Sequence, residues 1–277
     1  MPEFAYKEWK SKSQKFKLRN DPFIDGKFTS AHSQQTYKVY DPVSEHLLAS
    51  VASCDYYDVD QGIQSAQRLK ASGHWIQTPI TKRKEILNSF IRLIVDNREE
   101  LALLETLDMG KQAVNSLHLD TMGASAILRS YAKGEQENYR EVAFSKNLHT
   151  VPRKQPSPDI IGIVGVVIPC NFPLYQILFK ILPLLLAGNS VVINPPIQSP
   201  HGILRVAEIS VLAGLPKGLF NVLPGSTHRA GRALALHGDI DRLFVYMPWG
   251  SKTYSLNFAN PIKPLKQILL NVFRKTV

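Results

Sequence analysis

Hydrophobic and polar residues change rhythm twice along this chain. Residues 21–57 carry short runs of strand character: Phe23-Ile24, Tyr37 to Tyr40 and Leu47 to Val51. The turn pair Asp25-Gly26 follows the first of them. From Asp58 the spacing becomes helical. Asp58 reads as the cap of a helix reaching Ala71. Ile86, Leu87, Phe90, Ile91 and Ile94 recur on one face of a second helix over 81–96. Glu99 to Leu107 continues the pattern, and Leu119 to Tyr139 predicts a longer helix.

From Ile160 strand and helix alternate. Ile160 to Ile168 is an apolar, β-branched run, and Phe172 to Leu186 reads as a helix. Ser190 to Ile193 is a short buried strand. His201 to Ala213 is a helix with Gly214 as its C-cap. Phe220 to Leu223 and Arg242 to Val245 are strands, with a helix over His228 to His237 between them. Four strands separated by three helices predict an α/β fold with a parallel sheet. Such sheets bind ligands at the carboxyl ends of their strands.

Two segments stand outside this rhythm. Val142 to Lys154 alternates weakly, which suits a protruding hairpin or a linker. After Val245 the alternation stops, and Lys266 to Phe273 suggests an apolar helical turn or two. The organisation that follows is a basic segment over 1–20, strands with a helical block over 21–141, the hairpin or linker over 142–154, an α/β portion over 155–245 and a divergent tail over 246–277.

Composition narrows the class. The chain has 277 residues, 44% hydrophobic and 20% charged, enough for a real core and unlike a disordered protein. Two cysteines, Cys54 and Cys170, exclude a disulfide scaffold and a multi-cysteine zinc site. The most apolar stretch, Ile160 to Leu186, is interrupted by Asn171, Gln176, Lys180 and three prolines. A membrane span needs about 20 mostly apolar residues, so this stretch reads as buried core. The start is polar, and a cytoplasmic protein is the expectation.

The net charge of +10 suggests an anionic partner until it is located. Residues 1–20 hold six Lys and Arg against two Glu, and residues 246–277 hold five against none. Between them lie 22 basic and 21 acidic residues, so the body is neutral. No nucleic-acid motif or basic–aromatic patch accompanies the charge, and neither a nucleic acid nor a membrane is expected as a partner. The excess marks the ends of the chain instead.

Generic motifs do not name a chemistry. No Gly-x-Gly-x-x-Gly follows the first parallel strand, and P-loop, His-Glu-x-x-His and nucleophile-elbow patterns are absent from the sequence. A longer series is more specific. It runs Ile168-Pro169-Cys170-Asn171-Phe172-Pro173-Leu174, Ala187 to Val192, Asn194 to Pro200, Ala213 to Gly225 and His237 to Asp241. In this order and spacing it resembles the NAD(P)-dependent aldehyde dehydrogenase family, most like the γ-glutamyl-γ-aminobutyraldehyde dehydrogenase type. Phe23 to Gly26, Asp41-Pro42-Val43 and Leu101 to Lys111 fit as well. The resemblance spans residues 20–245, about the first half of a full-length member. It implies a Rossmann-type parallel sheet behind an N-terminal helical block, incomplete in this chain.

The resemblance also implies a chemistry. A cysteine thiolate attacks an aldehyde, an asparagine amide holds the oxyanion, hydride passes to NAD or NADP, and a glutamate helps water release the acid. A preorganised neutral amide suits an oxyanion because its N–H cannot be lost. Asn171 matches that asparagine; read without the family, it is a helix N-cap ahead of Phe172-Pro173. Lys180 matches a lysine on the proton path, or snorkels from a buried helix. Ile168, Pro169, Asn171 and Gly225 match cofactor-pocket positions. The partners implied are a small aldehyde and other subunits, either of this chain or of intact relatives.

Departures from the family are equally specific. The nucleophile and the glutamate have no counterpart among the 277 residues. Cys170 stands in the family's tryptophan position, where a buried inert thiol is expected. Asn194 replaces a lysine and Ile197 a polar group, both of which hold ribose hydroxyls in the family. Val245-Tyr246-Met247-Pro248 aligns with the family's Phe-Thr-Gly-Ser at the pyrophosphate, where a proline removes an N–H donor. Motif, charge balance and alternation all break near Val245, as a replaced reading frame would produce. These changes predict a weak cofactor site, a chain inactive alone, and an uncovered sheet edge prone to aggregation or in need of a partner.

Overall fold

The computed structural model describes residues 17–112, 116–117, 162–168, 173–247 and 267–272. Among these, strands β1 (Phe23–Ile24) and β2 (Lys27–Phe28) form a hairpin, and β3 (Thr36–Tyr40) pairs with β4 (Leu47–Ala52) in a small separate sheet. Asp25 and Gly26 both adopt positive φ, 56° and 77°, as a two-residue hairpin turn requires. Helices α1 (Tyr56–Ser72), α2 (His74–Gln77), α3 (Ile80–Asp96) and α4 (Arg98–Met109) follow. The second half alternates β5 (Ile163–Val167), α5 (Pro173–Ala187), β6 (Ser190–Asn194), α6 (His201–Leu212), β7 (Phe220–Val222), α7 (Arg232–Leu236), β8 (Arg242–Met247) and β9 (Gln267–Val272). A π-helical turn over Thr227–Gly231 leads into α7.

The large sheet runs β2-β1-β7-β6-β5-β8-β9. β7 through β9 are mutually parallel, and β1 joins β7 antiparallel. The parallel strands therefore lie in the order third, second, first, fourth, fifth. The order reverses at β5, and the crevice belongs outside the carboxyl ends of the strands at that point.

Alternation along each strand feeds two cores. Val164 and Val166 of β5, Val191 and Ile193 of β6 and Phe244 of β8 pack with α3, α5 and α6 on one face. Ile163, Val167, Val192, Leu243 and Val245 pack with α1 and α7 on the other. This is why the strands read as unbroken apolar runs: both faces are covered.

The sequence-expected elements between residues 21 and 112 and between 162 and 247 are present, with ends moved by a few residues. Asp55, not Asp58, caps α1. Its carboxylate accepts from Tyr57 N and Asp58 N, while Asp58 at the third helical position accepts from Asp55 N, a reciprocal capping box. Gly214 closes α6 as expected, at φ 83°, with Gly214 N bonded to Val211 O and Leu215 N to Ser210 O. The final carbonyls of α5 are satisfied from outside: Leu184 O by Asn189 Nδ2 at 3.1 Å, Leu185 O by Trp75 Nε1 at 2.8 Å and Leu186 O by Arg83 at 2.7 Å.

The tail differs from expectation. Residues 267–272 form β9, not a helical turn, and pair in parallel with all of β8 from Arg242↔Gln267 to Met247↔Val272. An apolar run this short carries no period that separates strand from helix, and the free edge of β8 decides it. The edge expected to lie open at β8 is covered by this strand. The expected helix over 119–139 and the segment 142–154 lie outside the described residues.

Candidate functional site

The carboxyl edge of the sheet is assembled from three strand ends. Ile168, buried just past β5, donates its N–H to Asn194 O at 3.1 Å. Leu223 N, just past β7, bonds Ile193 O at 2.8 Å. The Asn194 side chain donates from Nδ2 to Leu223 O at 3.0 Å and to Gly225 O at 3.1 Å. Gly225 adopts φ 148° at the mouth of the loop, a conformation L side chains rarely take. A Cβ there would stand 3.1 Å from Cys54 N, because Cys54 N also reaches Pro224 O at 2.9 Å.

Two of the sequence-expected site residues, Ile168 and Gly225, thus lie on one edge within one hydrogen-bonded unit. Pro169, Cys170 and Asn171 lie outside the described residues. Lys180 sits in α5, with its side chain also outside them. The start of α5 is nonetheless anchored. Leu174 N donates to Glu105 Oε1 at 3.0 Å, and Glu105, 1% exposed, pairs through Oε2 with Lys111 Nζ at 2.9 Å. A carboxylate from α4 therefore fixes the helix that Asn171 precedes. Sequence reasoning passed over Glu105 because its role depends on a contact 69 residues away.

The thiol described near this edge is not a nucleophile. Burial, then Asp58 and Asp55, push Cys54 well above its ordinary value, so it stays protonated and unreactive. Among the described residues no group of three His, Cys, Asp or Glu is arranged to hold a metal ion. Nor, among those residues, is any helix long and apolar enough to cross a membrane.

The donor set does not suit a nicotinamide dinucleotide at the ribose end. Asn194 turns its amide inward, and its Oδ1 is buried without a partner. Ile197 lies at a half-exposed turn and offers no hydrogen-bonding side chain. Val245, Tyr246 and Met247, which the sequence resemblance sets at the pyrophosphate turn, continue β8 and are paired with Leu270, Asn271 and Val272.

The strand order, with its reversal at β5, defines a Rossmann-type α/β protein. The chain belongs to the aldehyde dehydrogenase family, whose model matches residues 28–250. It is 37% identical over 235 residues to the NADP/NAD-dependent aldehyde dehydrogenase PuuC of Escherichia coli, covering 85% of this chain and 47% of that protein. The crystal structure of the aldehyde dehydrogenase KauB from Pseudomonas aeruginosa superposes with a TM-score of 0.83 at 36% identity, over 96% of this chain and 53% of that one. A γ-glutamyl-γ-aminobutyraldehyde dehydrogenase from Burkholderia cenocepacia gives 0.80 at 28% identity, over 95% and 52%. The chain spans about half the length of the relatives it matches.

Proposed function

We propose that this chain carries the dinucleotide-fold half of an aldehyde oxidation site and that its 277 residues do not oxidise aldehydes unaided. In this reading Asn171 is the oxyanion donor and Lys180 lies on the proton path. Ile168, Pro169, Asn171 and Gly225 line a weak NAD or NADP pocket. The substrate class is a small aldehyde, and the setting is cytoplasmic. The observation that supports it is the tied carboxyl edge. Ile168 and Gly225 are both tied to Asn194 there, at the carboxyl ends of the strands, while the thiol described beside Gly225, Cys54, is buried and held protonated.

The test is NAD(P)H formation by the purified chain with an aminoaldehyde. A rate equal to the blank is expected, and steady turnover without added protein overturns the reading.

The inward amide of Asn194 favours a second reading, a non-catalytic fold that assembles with itself or with intact relatives. Mixing the chain with an intact relative and measuring the mass of the assembly by light scattering decides between them. A mixed oligomer, or a multimer of the chain by itself, supports the second reading, and a chain that stays monomeric and elutes apart from the relative removes it.

A further inference from the structure

The end of β6 is closed by the chain itself. Asn194 is the last residue of that strand and 1% exposed. Its amide spans to two carbonyls, Leu223 O and Gly225 O, in the loop that leaves β7. Its Oδ1 is shut off from solvent and faces Gly231, where a Cβ would come within 3.0 Å of it. On the far side of the same loop Cys54 N holds Pro224 O at 2.9 Å. Residues 223–225 are therefore gripped from both sides, by a side chain from β6 and by backbone ahead of α1.

The geometry points to Asn194 as a structural clasp that seals the β6–β7 end of the crevice and does not hold a ribose. A carboxamide has two amide hydrogens, and both donor contacts here run to the protein's own backbone. A ligand hydroxyl that drew the side chain outward would leave two buried carbonyls unpaired, which one or two solvent-side hydrogen bonds do not offset. Gly231 belongs to the same device, because any side chain there would press on the Asn194 amide. The inference rests on the proposed dinucleotide-fold reading and assigns to Asn194 a role independent of any ligand.

The test is thermal unfolding of the whole chain, its Asn194→Ala and Asn194→Ser forms, and an Ile197→Ala control. Each is measured with and without about 1 mM NAD or NADP, a level that registers weak binding through mass action. The clasp predicts that both Asn194 variants melt roughly 3–8 °C lower, while Ile197→Ala stays within about 1 °C. Asn194→Ser keeps a hydroxyl donor and provides folded protein should the alanine form precipitate. An unchanged Tm in the Asn194 variants overturns the clasp. So does a ligand-induced rise in the parent that vanishes in them. A lower Tm with an equal ligand-induced rise in parent and variants upholds the clasp together with a cofactor pocket that does not use Asn194, whereas a lower Tm with no rise in any form upholds the clasp and refutes the weak cofactor site.

Discussion

Asp108 and His201, 93 positions apart, meet in a fully buried contact of 2.5 Å between Oδ1 and Nδ1. The other carboxylate oxygen accepts from His201 N at 3.0 Å, so a side chain at the end of α4 caps the first turn of α6. His201 Nε2 lies 3.2 Å from Asn20 Oδ1, which brings the N-terminal segment into the same unit. A contact this short between a carboxylate and an imidazole nitrogen requires a proton on one of them. Burial pushes Asp108 above the ordinary carboxylate range, against the pull of His201.

That arrangement fixes the first prediction. Asp108→Ala removes a cap and a buried partner together, and should lower the unfolding free energy by about 2–4 kcal/mol in urea titrations. The pH dependence has a definite sign. With its folded value raised, Asp108 contributes most below the usual aspartate pKa and loses that contribution as pH rises through the raised value. Asp108→Asn should flatten this component of the stability profile.

Asp55 has the opposite sign. Burial raises its pKa, but hydrogen bonds from His32, Tyr57 N and Asp58 N outweigh this and hold it below the ordinary value. Its cap on α1 is therefore fully effective above the unfolded pKa and is lost as pH falls through the lowered one. Asp55→Ala should cost about 1 kcal/mol near neutrality, and Asp55→Asn should keep most of the cap while removing its acid sensitivity. Chemical unfolding at several pH values checks both.

Cys54 should be chemically silent in the folded chain. Its side chain is 0% exposed and its thiol is held protonated. In a Cys170→Ser background, a disulfide reagent should label Cys54 only as fast as the protein opens, and at once in denaturant. Rapid labelling under native conditions would show the loop beside Gly225 to be open.

Local signals were legible and long-range ones were not. The apolar runs at 163–167 and 190–194 and the helical spacing of Leu87, Phe90, Ile91 and Ile94 announce their elements because period and burial agree. Gly214 announces a helix end because only a positive φ completes that turn. Asp55 and Asp58 both suit a cap, and the sequence alone does not show which stands outside the helix. The roles of Glu105, Asp108 and Asn194 depend on partners 29 to 93 residues away, which no spacing rule reaches. β9 is not legible in the sequence because six residues of Gln, Ile, Leu, Asn and Val fit either element until an open strand edge is placed beside them.

The last prediction concerns that edge. β8 is buried at Leu243, Phe244 and Val245, and its backbone groups face β5 on one side and β9 on the other. Removing residues 262–277 would leave an apolar strand with a row of unpaired N–H and C=O groups, a template for pairing with other chains. The shortened protein should self-associate at micromolar concentrations where the full chain does not, with light scattering rising more steeply than in proportion to concentration. If the shortened chain stays as dispersed as the parent, the pairing of β8 with β9 does not protect the sheet edge in solution.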